Sequence, residues 1–128
     1  MPMSALADPG ARPDPATVLT KAVLAAAAKL DLKSSALAPI LGVSEATVSR
    51  MRRGGYRLDA GTKAFELGVL FVRLFRSLDA IVGGDEAVAR AWLKTPNLAL
   101  GGKPVELIRT VAGLADVIAY LDARRAPV

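Results

Sequence analysis

The chain has 128 residues, of which 52% are hydrophobic and only 5% aromatic, so its core must consist mainly of alanine, leucine and valine. It contains no cysteine and no histidine, which excludes disulfides, thiolate chemistry, imidazole catalysis and metal sites built from these ligands. The net charge of +5 is concentrated in residues 1–58, which carry eight Lys or Arg against four Asp or Glu. A basic first half suits a polyanionic partner or a solvated surface, and the composition favours helices over a β-sandwich.

The first thirteen residues contain three prolines and one glycine, and they predict a disordered tail over 1–13. They lack the charged and apolar regions of a secretion signal. The longest strongly apolar run, Leu67 to Val72, is far shorter than the roughly 18 residues that a membrane span needs. We therefore expect a cytoplasmic protein with no membrane partner.

The first predicted helix begins at Asp14-Pro15, with Asp14 as N-cap and Pro15 at the first helical position. It runs to Leu30, and its apolar side chains recur at three- and four-residue spacing. This stripe consists of Val18, Leu19, Ala22, Val23, Ala26 and Leu30. The opposite face is rich in alanine and suits close packing against a neighbour.

The stretch SSALAPILGVSEATVSRMRRGG, residues 34–55, has the spacing of a helix-turn-helix. Ala38 supplies the small residue beneath the second helix, Gly42 can take positive φ, and Val48 is a β-branched residue that locks the two helices together. Ser44 is predicted to cap the second helix and Gly54-Gly55 to end it.

The second helix of this pair is predicted to expose polar and basic side chains, which suit contact with DNA. In a bound helix-turn-helix the early residues of this helix face base edges, while a basic end reaches phosphates. The predicted DNA-binding residues are Ser44, Glu45, Ala46, Thr47, Ser49, Arg50, Arg52 and Arg53. An ordinary helical hairpin is the alternative.

Pro39, in the first helix of the pair, departs from the helix-turn-helix pattern. It is tolerable near the first turn of that helix if Ser35 is the cap.

A long helix follows, capped by Asp59 or Thr62 and running to about Val82. Its apolar residues form two stripes: Leu67, Leu70, Phe71, Leu74, Leu78 and Ile81 on one side, and Phe65, Val69 and Val72 on the other. A helix that is apolar on two sides is either central in the fold or part of a subunit interface, and the pattern leaves both open.

The remaining chain predicts short helices separated by dense turn signals. Gly83-Gly84 ends the long helix, and Asp85-Glu86 begins a short helix to Leu93. The signals that follow are Thr95-Pro96-Asn97, Gly101-Gly102, a helical turn from Pro104, and a last helix with Leu114, Val117, Ile118 and Leu121 on one face. We therefore predict an all-α fold in which a helix-turn-helix domain with a bridging helix (14–77) is joined to a small helical C-terminal domain (78–128).

The second half resembles the toxin-binding domain of the Xre/MbcA/ParS antitoxins, and the helix-turn-helix is similar to the Xre-type arrangement. The matching residues are Gly83-Gly84-Asp85-Glu86, Ala91-Trp92-Leu93, Pro96-Asn97, Leu100-Gly101-Gly102-Lys103-Pro104, Val105-Glu106-Leu107-Ile108, Gly113-Leu114, Val117 and Leu121. The order of these pieces is far more specific than any one of them.

The resemblance implies an antitoxin of a type II toxin–antitoxin system whose partner is a RES-domain toxin that degrades NAD⁺. It implies that the C-terminal domain obstructs the toxin's active site, and that the N-terminal domain binds operator DNA within a homodimeric repressor, with no cofactor. The toxin-facing residues carried over by position are Asn97, Leu100, Gly101, Lys103, Arg124 and Arg125, the last two only as the basic end of the final helix. Trp92 and Leu93 are expected in the core.

Two other functions compete with this interpretation. A stand-alone regulator would use the second half only to dimerise. An enzyme would need carboxylates such as Asp85 with Glu86, or Asp116 with Asp122, but no nucleophile–base pair accompanies them. We therefore expect a binding protein without catalytic activity.

Overall fold

The computed structural model describes residues 14–125, and all regular secondary structure in that range is α-helical. The helices are α1 (Pro15–Lys29), α2 (Ser34–Leu41), α3 (Glu45–Arg52), α4 (Lys63–Ile81), α5 (Glu86–Lys94), α6 (Pro104–Leu107) and α7 (Val111–Arg125). The predicted all-α fold is confirmed, with the helix-turn-helix preceding a helical C-terminal module. The tail predicted over 1–13 lies outside the described residues.

Side-chain caps begin four of these helices; three of these caps were predicted, whereas Asp85 was predicted only as negative charge at a helix start. Asp14, Ser44, Thr62 and Asp85 each accept a backbone N–H from the first turn of the helix that follows. These bonds satisfy donors that have no partner within the helix. Of the two caps that the sequence allowed for α4, Asp59 and Thr62, the structure uses Thr62, whose hydroxyl lies 3.1 Å from the nitrogen of Phe65.

Helix α2 begins differently from the prediction. It follows Lys33 without a side-chain cap, so Ser35 is its second residue and not its N-cap. Pro39 therefore lies deeper in the helix than a first-turn proline, and it has no N–H to donate to the carbonyl of Ser35. The helix ends soon afterwards, at Leu41.

Helix α4 is central in the fold, because it packs against α7, α1 and α2. Phe71, Leu74 and Leu78 on the predicted core face are fully buried. A single cluster of buried side chains extends from Leu19 in α1 to Leu121 in α7. The helix-turn-helix and the C-terminal module are thus built on one core.

Three residues assigned to the apolar stripes are exposed, and one of them is Val69 of α4, at 45%. Val18 is 51% exposed, because the buried side of α1 is centred on Val23, and a five-residue separation places Val18 about 140° around the helix. Ile81 is 40% exposed at the last turn of α4. No helix in residues 14–125 is both long and apolar enough to cross a membrane.

Candidate DNA-facing and toxin-facing surfaces

The turn between α2 and α3 has the geometry that the sequence predicts. Gly42 adopts the left-handed conformation with φ of 70°, which a residue with a side chain rarely takes. Ala38 and Val48 are buried beneath it, at 3% and 0% exposure. The helix-turn-helix is confirmed, and α3 is its second helix.

Helix α3 presents most of the predicted surface to solvent, with one exception. Ser44, Glu45, Ala46, Arg50, Arg52 and Arg53 are exposed, and Ser49 is half-buried. Thr47 is only 8% exposed, so the prediction that it faces outward is wrong. Its backbone N–H and its hydroxyl both contact the Ser44 hydroxyl, at 3.1 and 3.0 Å, which turns the side chain back towards the start of the helix.

Arg50 is held in place on the exposed side of α3. Its Nη2 donates to the Thr47 hydroxyl at 3.1 Å, and its guanidinium lies 5.8 Å from the centre of the Tyr56 ring. A hydrogen bond and a cation–π contact together restrict a side chain that is otherwise flexible. Arg50 is therefore pre-organised, which reduces the entropy lost when it binds an anion or a base edge.

The other two arginines of this surface have different surroundings. Arg52 donates from Nη2 to the carbonyl of Leu32 at 2.9 Å, so one of its N–H groups is occupied by the loop before α2. Arg53 is the C-cap residue of α3 and is exposed. Of the three, only Arg50 combines exposure on the body of α3 with two contacts that fix its guanidinium.

Thr47→Val is expected to weaken binding to specific DNA by about 1 kcal/mol, roughly fivefold, because it removes the hydroxyl that orients Arg50. The substitution keeps the shape and the burial of the side chain. Thr47→Ser keeps the hydroxyl and should bind almost like the wild type. Fluorescence anisotropy with the protein's own promoter and with unrelated DNA tests this expectation. Equal losses on both DNAs would contradict a role in orienting Arg50.

The loop between α5 and α6 is closed by Asn97. Its N–H donates to the carbonyl of Gly102 at 2.9 Å, and its side-chain oxygen accepts from the N–H of Leu100 at 3.1 Å. Gly101, at φ of 81°, completes the turn, and its N–H donates to the Asn97 carbonyl at 2.9 Å. Asn97 therefore shapes the tip of a rigid loop and is itself only half-exposed.

This loop displays Leu98, a residue absent from the predicted toxin-facing set. Leu98 is 102% exposed, whereas Leu100 is half-buried against the core. Lys103 is exposed just before α6, and Gly101 is exposed at the turn. The sequence marks an apolar loop between Asn97 and the double glycine, but it does not distinguish Leu98 from Leu100.

An aromatic contact links α5 to the end of α7. The rings of Trp92 and Tyr120 stack with their centres 6.2 Å apart, and the guanidinium of Arg124 lies 4.5 Å above the Tyr120 ring. Leu93 is 1% exposed, as predicted for a core residue. Trp92 is half-buried and packs at the edge of the core, and its ring also stacks on the Tyr120 ring that contacts Arg124.

Polar contacts with α4 fix the basic end of α7. Asp122 accepts from the Ser77 hydroxyl at 2.9 Å and from the Arg73 guanidinium, and Arg125 donates to the Ser77 oxygen at 3.2 Å. The hydrogen bond from Ser77 and the charge and hydrogen bond of Arg73 hold the pKa of Asp122 below its ordinary value, so this carboxylate is ionised at neutral pH. Arg124 and Arg125 are exposed but anchored on α7, while the other predicted toxin-facing residues lie together in the loop after α5.

Comparison with protein families matches both halves of the chain. Residues 9–73 match the antitoxin Xre-like helix-turn-helix domain, and residues 77–126 match the antitoxin Xre/MbcA/ParS C-terminal toxin-binding domain. No curated protein matches the chain. The first match alone covers just over half of the sequence, and its recognition helix and turn have the geometry described above. The chain belongs to the Xre-type antitoxin family.

Proposed function

We propose that this antitoxin neutralises a RES-domain toxin, an NAD⁺-degrading enzyme, and that as a homodimer it binds the operator of its own operon. The observation that carries the proposal is that one core joins a helix-turn-helix with an outward-facing, pre-organised Arg50 to a domain of the toxin-binding family. The protein acts by binding two partners, and it uses neither catalysis nor a cofactor.

Two surfaces of the C-terminal module are assigned to the toxin. The loop after α5 offers Leu98 as an apolar anchor, with Lys103 beside it at the start of α6. Arg124 and Arg125 form a basic end that Tyr120 and Ser77 hold in one direction. Because these contacts already restrict the two arginines, they lose less conformational entropy on binding, which favours tight obstruction of an active site.

Capture from the native cell tests the toxin assignment. The captured partner is assayed for loss of NAD⁺, alone and with the antitoxin added. Loss of NAD⁺ that the antitoxin suppresses supports the proposal, and capture of an enzyme with other chemistry contradicts the RES assignment. If promoter DNA is bound but no enzyme is captured, the chain is a stand-alone regulator.

Arg50→Ala tests the DNA assignment. We expect binding to the promoter of its own operon to weaken by about 1 to 2 kcal/mol, roughly 5- to 30-fold, since a fixed guanidinium at a base edge is lost. Toxin capture should remain unchanged. Arg109→Ala is the matched control, because Arg109 is an exposed arginine next to α6 and outside the helix-turn-helix. Equal effects of the two variants in a gel shift would contradict readout by Arg50.

A further inference from the structure

An open groove of about 690 Å³ lies between α1, α4 and the end of α7, and Arg125 of the basic end lines its border. Its apolar lining comes from α1 and α4 and includes Val18, Ala22, Phe65, Val69 and Val72. Val18 is 51% and Val69 45% exposed. Exposed apolar side chains on two adjacent helices mark a surface that a protein partner covers.

The face of α4 that forms this groove changes charge along its length. Residues three, four and seven positions away from Val69 lie on the same side of the helix. They include Glu66 before Val69, and Arg73 and Arg76 after it. Lys63 lies 3.9 Å from Glu66, but its position is about 120° around the helix from Val69, off this face. The side of α4 around Val69 thus carries Glu66 beside one end of the groove and Arg73 and Arg76 in its other end, where Asp122 of α7 pairs with Arg73.

We propose that a second copy of the chain covers this groove, with the two α4 helices antiparallel about a two-fold axis near Val69. The proposal rests on the homodimer of the proposed function and assigns its surface. Residues before Val69 in one copy then face residues after it in the other. Glu66 of each copy lies opposite Arg73 of the other, and the two Val69 side chains meet at the axis.

The charges on α4 favour the antiparallel alignment of the two helices over the parallel one. A parallel alignment would bring the Arg73 and Arg76 ends of both copies together, and like charges repel. The antiparallel alignment joins unlike ends twice, once on each side of the axis. Arg73 is already oriented by Asp122, and its side chain remains 60% exposed, so it presents charge at the groove. The two-fold axis also pairs the two α3 helices, as an inverted-repeat operator requires.

Light scattering of the purified full chain tests the surface. We expect the molar mass of the wild type to be twice 13.3 kDa and that of Val69→Asp to be 13.3 kDa. The helical circular dichroism of Val69→Asp should be unchanged, because Val69 is not in the core. Val88→Asp is the matched control: Val88 is 48% exposed on α5, outside the groove, and this variant should remain dimeric. Val18→Asp, on the opposite wall of the groove, should also be monomeric.

Charge reversal tests the alignment. Glu66→Lys should raise the dimer dissociation constant at least tenfold at low salt, with a smaller effect at high salt, while Glu106→Lys on α6 should leave it unchanged. No salt-dependent loss in Glu66→Lys overturns the antiparallel pairing.

The outcomes distinguish a failure of the groove as the dimer interface from a failure of the homodimer itself. A dimeric wild type with a dimeric Val69→Asp variant refutes the groove as the interface and leaves the homodimer standing. Retained dimer mass with lost toxin capture in Val69→Asp assigns the groove to the toxin and overturns the proposal. A monomeric wild type removes the homodimer of the proposed function, and the groove proposal with it.

Discussion

Gly113→Ala is expected to lower the free energy of unfolding by about 3 kcal/mol or more and to abolish toxin capture. A Cβ added at Gly113 would lie 1.8 Å from the backbone oxygen of Leu107 and 2.7 Å from its carbonyl carbon. Backbone atoms have no alternative rotamer, so α7 would have to move away from the end of α6. That movement displaces the helix that carries Arg124 and Arg125.

Chemical denaturation of the wild type and Gly113→Ala measures this loss, and toxin capture gives the functional readout. Gly102→Ala is the matched control within the same module. A Cβ at Gly102 meets only Leu107 side-chain atoms, at 3.5 Å or more, which is an ordinary contact. We expect a change below about 1 kcal/mol for this variant. A small effect at Gly113 would mean that α6 and α7 separate easily.

Leu98→Asp is expected to weaken toxin binding by about 2 kcal/mol or more, roughly 30-fold, and to leave stability unchanged. Leu98 makes no buried contact in the free chain, since it is 102% exposed on a loop that Asn97 closes. The substitution removes an apolar anchor and requires a carboxylate to lose its hydration in the interface. The Gly113 substitution should therefore lower both stability and toxin binding, whereas the Leu98 substitution should lower toxin binding alone.

The affinity change is measured by calorimetric titration of the toxin with the wild type, with Leu98→Asp and with a control variant. Val88→Asp is the control, because it introduces the same carboxylate at another exposed position of the C-terminal module. Promoter binding should be unchanged in both variants. Wild-type affinity in Leu98→Asp would exclude the loop tip from the toxin interface.

Local signals explain why so much of the fold was predictable. The caps Asp14 and Ser44 and the positive φ of Gly42 each depend on one or two neighbouring residues. The helical period identified two apolar stripes on α4, but it could not say which of them meets the core. Only tertiary packing decides that Phe71 is buried and Val69 is exposed.

The site residues were harder to predict because side-chain contacts decide them. Thr47 has the spacing of a base-contacting residue, but its hydroxyl serves Ser44 and Arg50. Trp92 was expected in the core and packs at its edge, but the sequence did not show that its ring stacks on Tyr120. Leu98 was missed because helix periodicity has no meaning in a loop. Family resemblance located the toxin-binding region, but it did not tell which loop residue points outward.

The continuous core around α4 makes the two binding activities share one unfolding equilibrium. Any ligand that binds only the folded chain stabilises all of it, by about 2.7 kcal/mol at a free concentration of 100 times its dissociation constant. Because α4 packs on both α1 and α7, a bound toxin also holds the recognition helix in its folded form. A protease that degrades unfolded antitoxin would then destroy the helix-turn-helix domain and the toxin-binding domain together, and would do so mainly when neither partner is bound.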